Sequence, residues 1–182
     1  MAVTLYHRMQ AASSGEQIDK KDEGYLFAAV LQLSAFGLWI VTFAYLLMPS
    51  SVQWASIPMP ISIRWFGVAT GIFSSLLMCW TLNSLGNNLT DTVVTRVDAT
   101  LVTQGPYRWV RHPYYVTTAL LMTSVVLLTA NWLIGLGCFA VLSLLAVRTP
   151  KEEQRLIDKF GQKYCDYMEK TGRFFPRFSD RK

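Results

Sequence analysis

Between Tyr25 and Val147 only six side chains are charged, whereas residues 148 to 182 carry sixteen. A water-exposed domain carries charge on about a quarter of its residues, so the middle of the chain reads as lipid-embedded and the tail as solvated. Tyr25 to Met48 is a run of 24 residues without a charge. As a helix rising about 1.5 Å per residue it is long enough to cross a hydrocarbon core of about 30 Å. Pro49 ends this span. After a loop with Pro58 and Pro60, a second apolar run extends from Ile61 to Leu85, with Gly86 placed as its stop. Arg64 lies near its outer end, where it can snorkel. Gly67, Gly71 and Ser75 strip one face of bulk and predict close helix packing. Tyr114 to Val147 then gives 34 uncharged residues, too many for one crossing and few for two. Asn131 beside Trp132 marks a hairpin of two short helices there.

The chain is therefore expected to be an all-α integral membrane protein, multi-pass, with two full transmembrane helices, a membrane helical hairpin and a C-terminal amphipathic helix. The polar residues 87 to 113 would form a short irregular, β-leaning cytosolic loop. A polar N-terminal segment, 1 to 24, precedes a single membrane domain, 25 to 182, and shows no cleaved signal peptide. Ten of the seventeen basic residues lie in the tail, and only Arg64 falls near the opposite face, so both termini are expected to be cytoplasmic. The excess of +5 then points to anionic membrane lipids rather than nucleic acid. No homo-oligomer is indicated.

The tail begins with Thr149-Pro150-Lys151-Glu152, the spacing of a capping box with proline at the first helical position, so a helix is expected to start there. Leu156, Ile157, Phe160, Tyr164, Tyr167 and Met168 recur at helical spacing as one apolar stripe. Such a helix would lie along the membrane or fold back on the bundle until Gly172 and Pro176 stop it. Cys79, Cys138 and Cys165 have neither paired spacing nor a histidine cluster, which argues against a disulfide framework and a metal site. The chain has no GxGxxG, P-loop, HExxH or GxSxG motif, which removes Rossmann, P-loop, zincin and α/β-hydrolase chemistry.

Functional side chains concentrate in residues 105 to 115, GPYRWVRHPYY, where a polar loop enters an apolar helix. Pro113 suits the first helical turn, whose unpaired N–H groups favour an anionic group. Tyr107, Trp109, Tyr114 and Tyr115 can enclose a flat ring or a sulfonium cation. The alternative is an interfacial belt, with Arg108 and Arg111 on lipid headgroups. Arg148, Glu152 and Glu153 stand on the same predicted face as His112, yet Arg148 is equally suited to anchor at the interface and Glu152 to cap a helix.

These residues carry a resemblance. Gly86-Asn87-Asn88, the string from Thr100 to Tyr115, Arg148 with Glu152-Glu153, and Phe160-Gly161-Gln162-Lys163-Tyr164 are similar to the isoprenylcysteine carboxyl methyltransferase family over about residues 86 to 178. The family implies a membrane enzyme that takes a methyl group from S-adenosyl-L-methionine without a Rossmann domain. By matching position, the resemblance puts Ala99, Thr100, Leu101 and Val102 along the cofactor, and Tyr107, His112, Pro113, Tyr114 and Tyr115 in the rest of its pocket. It brings Glu152 to the cofactor from the tail and sets Arg148 against the substrate, a lipophilic or prenylated acceptor. Pro150 and Lys151 stand where relatives often have a longer acidic run, and the shorter loop after Val94 makes Thr95 a weaker cofactor candidate.

Arg148 and His112 are the two candidate catalytic residues. A carboxylate acceptor needs no base, and the two-pronged guanidinium of Arg148 suits it. An amine or thiol acceptor would have to lose a proton, for which His112 is the nearby group titrating near neutrality. The RHPxY string is shared with NADPH-dependent membrane sterol-type reductases, which makes such a reductase the enzymatic rival. A noncatalytic membrane protein with a lipid-binding tail is the other.

Overall fold

The computed structural model describes residues 25–85 and 100–177. The segment 1 to 24, the stop at Gly86 and the loop residues 87 to 99, with Thr95 and Ala99, lie outside them. Five helices of nine residues or more are present among the described residues, α1 Tyr25–Leu47, α2 Ile61–Leu85, α3 Pro113–Thr129, α4 Trp132–Phe160 and α5 Gln162–Lys170, with a single helical turn at Pro49–Val52. No strand occurs among the described residues, only isolated bridges. Three helices, α1, α2 and α4, are long and apolar enough to cross a membrane, and α3 is a shorter apolar helix.

The chain divides into two compact units. A helical unit takes residues 25–78 and 115–147, and a loop unit takes 79–85, 100–114 and 148–177 of the described residues. Because α2, α3 and α4 each contribute to both, no helix belongs wholly to the loop unit except α5.

In the helical unit the exterior is apolar. Leu33 is 68% exposed, Phe73 60% and Phe139 69%, a surface that matches lipid rather than water. The interior is organised by small residues. A Cβ on Gly67 would stand 2.9 Å from Leu127 Cβ, and one on Gly71 would stand 2.6 Å from Ser124 Oγ, so α2 and α3 pack at glycine distance. Ser124 Oγ donates to the Gly67 carbonyl at 2.7 Å across this seam.

The hairpin turn is two residues long, Ala130 and Asn131. Ala130 takes a left-handed conformation (φ 46°), and its carbonyl accepts from Ile57 N at 2.7 Å. Asn131 is fully buried. Its Oδ1 accepts from Leu133 N at 3.1 Å and Ile134 N at 3.2 Å, capping α4, while Nδ2 donates to the Val52 carbonyl at 3.0 Å. Asn131→Ala is expected to lower stability by about 2–3 kcal/mol, the loss of a cap plus a stranded carbonyl. Thermal unfolding in detergent measures it, and a change below about 0.5 kcal/mol would deny Asn131 this role.

Three expectations are corrected. The hairpin does not consist of two short helices, because α4 runs for 29 residues and carries straight into the tail. No helix starts at Thr149-Pro150, since Pro150 sits inside α4. An interior proline forfeits one backbone bond, at about 3 kcal/mol. The helix persists because contacts flank it on both sides: Thr149 and Glu153 are buried, and Arg148 reaches Glu152 across the proline at 3.2 Å. The C-terminal amphipathic helix is likewise not one element. It breaks at Gly161, whose φ of 57° and ψ of −135° suit glycine alone, and α5 follows.

Candidate functional site

The loop unit is held together by its two chain ends. Residues 105 to 108 form a 3-10 turn opened by Gly105 at φ 59°, where a side chain would collide with Ser84. Beyond it, Val110 and Gly172 pair as a parallel bridge. Arg111 N donates to the Gly172 carbonyl at 2.8 Å, and His112 N donates to the Arg173 carbonyl at 3.1 Å. The end of the tail is thus strapped along the RWVRH segment. Gly172 has no room for a Cβ, which would run into the Phe175 carbonyl.

Arg111 turns inward at this strap. Its Nε donates to Glu153 Oε1 at 2.8 Å, and its Nη1 donates to the carbonyls of Met168, at 3.1 Å, and Thr171. Arg173 Nη2 engages the other oxygen of Glu153. His112, also buried, has Nε2 3.4 Å from Glu153 Oε1 and Nδ1 3.8 Å from Glu152 Oε2. Arg148 Nε lies 3.2 Å from Glu152 Oε1. Consecutive positions on a helix differ by about 100°, which lets the two glutamates approach one imidazole while holding different arginines. Among the described residues no cluster is suited to a metal ion.

Beside this network lies a cavity of about 120 Å³ lined by Thr100, Leu101, Val102, Tyr107, Arg111, Leu156, Phe160, Tyr164, Tyr167 and Leu85. Tyr167 Oη donates to the Tyr107 carbonyl at 2.6 Å. Tyr164 is buried, and its hydroxyl has no hydrogen-bond partner among the described residues. Burial pushes the phenols of Tyr107 and Tyr164 well above their ordinary range, with Tyr167 and Tyr114 adding to the first and Glu153 to the second. Burial also takes Tyr167 up to about 12, although Arg111 and Thr171 pull the other way. All three stay neutral near pH 7, so the cavity wall offers O–H groups rather than phenolates.

The sequence-predicted residues divide accordingly. His112, Arg148 and Glu152 come together, and Thr100, Leu101, Val102 and Tyr107 line the cavity. Pro113 is buried at the start of α3, Tyr114 is exposed and does not line the cavity, Tyr115 belongs to the helical unit, and Ala99 lies outside the described residues. Arg111 is not a headgroup anchor, because it is 9% exposed and spent on Glu153. Arg173, Tyr164 and Tyr167 were missed as site residues, and Glu153, grouped with Arg148 and Glu152, was given no role. The apolar stripe was a signal for the two tyrosines: Leu156, Phe160, Tyr164 and Tyr167 face the cavity instead of a membrane surface.

Fold and site together define a helical membrane protein whose polar loop and tail meet in a buried histidine, arginine and glutamate network. Residues 67–158, half of the chain, match the isoprenylcysteine carboxyl methyltransferase (ICMT) family. The chain is 29% identical over 171 residues to a protein-S-isoprenylcysteine O-methyltransferase of Dictyostelium discoideum, covering 91% of this chain and 65% of that protein. It is 31% identical over 120 residues to the enzyme of the same name from Tribolium castaneum, covering 63% and 43%. Among solved structures it resembles the eukaryotic intramembrane Ras methyltransferase ICMT, with a TM-score of 0.57 and 25% identity over 80% of this chain and 51% of that one. The chain belongs to the isoprenylcysteine carboxyl methyltransferase family. It spans between 43% and 65% of the length of these relatives.

Proposed function

We propose that this chain is an S-adenosyl-L-methionine-dependent membrane methyltransferase acting on the carboxylate of an isoprenylcysteine-like or other lipophilic acceptor. The observation that carries this reading is Glu152, which lies 3.8 Å from His112 and 3.2 Å from Arg148 and so joins two family motifs distant in sequence. The two named relatives, both protein-S-isoprenylcysteine O-methyltransferases, support the acceptor class. The basic tail, and Arg64 as the one basic residue near the opposite face, support cytoplasmic termini.

The cavity fits part of such a cofactor. Drug-sized ligands fill about 300–1,000 Å³, so 120 Å³ suits one flat, hydrogen-bonding ring. Tyr164 Oη would meet that ring, with Leu101, Val102 and Phe160 on its faces. Bound, the cofactor would supply an activated methyl group for a new C–O bond to the acceptor oxygen, its sulfur keeping the electron pair of the methyl–sulfur bond. What remains for the protein is positioning and exclusion of water. Glu152 stands 3.2 Å from Arg148 Nε and keeps the charged guanidinium beside the place where its fork would meet the acceptor carboxylate. His112 and Glu153 keep the loop and the tail in register, and a carboxylate acceptor requires no proton transfer.

Purified protein in detergent is expected to bind S-adenosylhomocysteine and not NADPH; the reverse result would transfer the chain to the reductase reading. Tyr164→Phe should raise the dissociation constant for S-adenosylhomocysteine about 5- to 10-fold, the loss of one hydrogen bond in an enclosed site. The melting temperature of that variant should hold or rise, because a buried hydroxyl without a partner is removed. Unchanged affinity would take Tyr164 out of the cofactor site.

A further inference from the structure

We propose that Arg155, flanked by Lys151 and Lys159 on α4, is the centre of a phosphate-binding site. Its two Nη atoms are buried and have no hydrogen-bond partner among the described residues. A guanidinium keeps its charge at any accessible pH, so burial cannot be relieved by losing a proton and requires an anion. No carboxylate of the helix hydrogen-bonds to its Nη atoms. Glu152, three residues before, is held by Arg148 at 3.2 Å, and Glu153 is held by Arg111 and Arg173. Asp158, three residues after, accepts from Gln154 Nε2 at 3.0 Å.

The positions four residues away on either side are both lysines. Like charges at this spacing repel, so Lys151, Arg155 and Lys159 form a cationic strip about 12 Å long that an anion would convert from repulsion to attraction. Phosphate suits it: two oxygens match the paired Nη donors, and the lysines act as flanking point charges.

Depth along α4 favours the same ligand. The uncharged part of the helix, Trp132 to Val147, has 16 residues, about 24 Å, which is about 6 Å short of a hydrocarbon core. Arg155 stands about 12 Å beyond Val147. With the shortfall subtracted, it lies about 6 Å outside the core, within the headgroup layer. The phosphodiester of an acidic lipid and a free phosphate offer the same chemistry to this fork.

The test uses the full chain in phosphatidylcholine vesicles, with fluorescent phosphatidylglycerol as one probe and inorganic phosphate as the other. The wild type is expected to bind at least one saturably, and Arg155→Gln to bind it about tenfold more weakly. Lys163→Gln, at an exposed position on α5, should bind as the wild type does. Lipid binding that inorganic phosphate does not displace identifies the headgroup as the source; displacement identifies a soluble phosphate. Equal affinity of Arg155→Gln and wild type for both probes, or no saturable binding of either, overturns the site. Should Arg155→Gln not fold, Arg155→Lys decides, because it keeps the charge and loses the fork: severalfold weaker binding supports the proposal and unchanged binding overturns it.

Discussion

Glu153→Ala is expected to lower the stability of the folded chain by about 3–5 kcal/mol, the cost of breaking a buried ion pair from one side. The carboxylate accepts from Arg111 Nε at 2.8 Å and from Arg173, and it stands 3.4 Å from His112 Nε2. Arg111 is 9% exposed, so its guanidinium would be left charged and dry. Arg173 is 43% exposed and can turn to water, which is why Arg173→Ala should cost no more than about 1 kcal/mol. For a chain of this size the Glu153→Ala loss corresponds to a fall of roughly 10 °C in apparent melting temperature in detergent. The strap should loosen with it, since Arg111 also holds the carbonyls of Met168 and Thr171. Proteolysis of the C-terminal segment would then begin at temperatures at which the wild type resists. Equal effects of the Glu153 and Arg173 substitutions would show that burial of Arg111 is not what makes the network sensitive.

Arg148→Lys is expected to reduce methyl transfer about 100-fold in kcat, with S-adenosylhomocysteine affinity changed by less than about threefold. Lysine keeps the charge and can still approach Glu152, so the electrostatics at long range survive. What disappears is the planar fork, and with it, on the proposed function, the orientation of the acceptor oxygen toward the methyl group. Labelled methyl uptake by a prenylcysteine carboxylate gives kcat, and equilibrium binding gives the cofactor affinity. A parallel loss in both would move Arg148 from the acceptor side to the cofactor side. A full rate for the lysine variant would leave Arg148 as the i,i+4 partner that carries α4 through Pro150 and nothing more.

The apolar helices were legible because a lipid solvent excludes charge over a whole span. α1 and α2 accordingly run over Tyr25–Leu47 and Ile61–Leu85, as the apolar runs indicate. The GxxxG seam was legible for a related reason: only missing side chains let two helices approach as α2 and α3 do at Gly71 and Ser124. The tail was not, because Thr-Pro-Lys-Glu is compatible with two local arrangements. One is a capping box that begins a helix; the other is an i,i+4 pair that carries a helix past its proline. Contacts at Thr149 and Glu153 chose the second.

Arg111 shows the same limit in the site. As a basic residue beside Trp109 and ahead of an apolar helix, it satisfies every local criterion for a headgroup anchor. It faces inward because residues 171 to 173 return to pair with 109 to 112, about 60 positions away. The tyrosine stripe at positions 164 and 167 behaves alike. Periodicity shows that it is covered, and only the course of the chain shows by what.

Which stretches meet lipid and which meet water follows from composition, since transfer free energies act on each side chain wherever the chain later goes. The inventory of reactive groups at 100 to 115 and 148 to 153 follows in the same way. The pairing of those groups does not: whether a glutamate serves His112 or Arg111 turns on separations of a few ångströms between residues some forty positions apart. Such distances are set by the glycine turns at 105 and 161 and by the strap at 172, which act only after the chain has closed on itself.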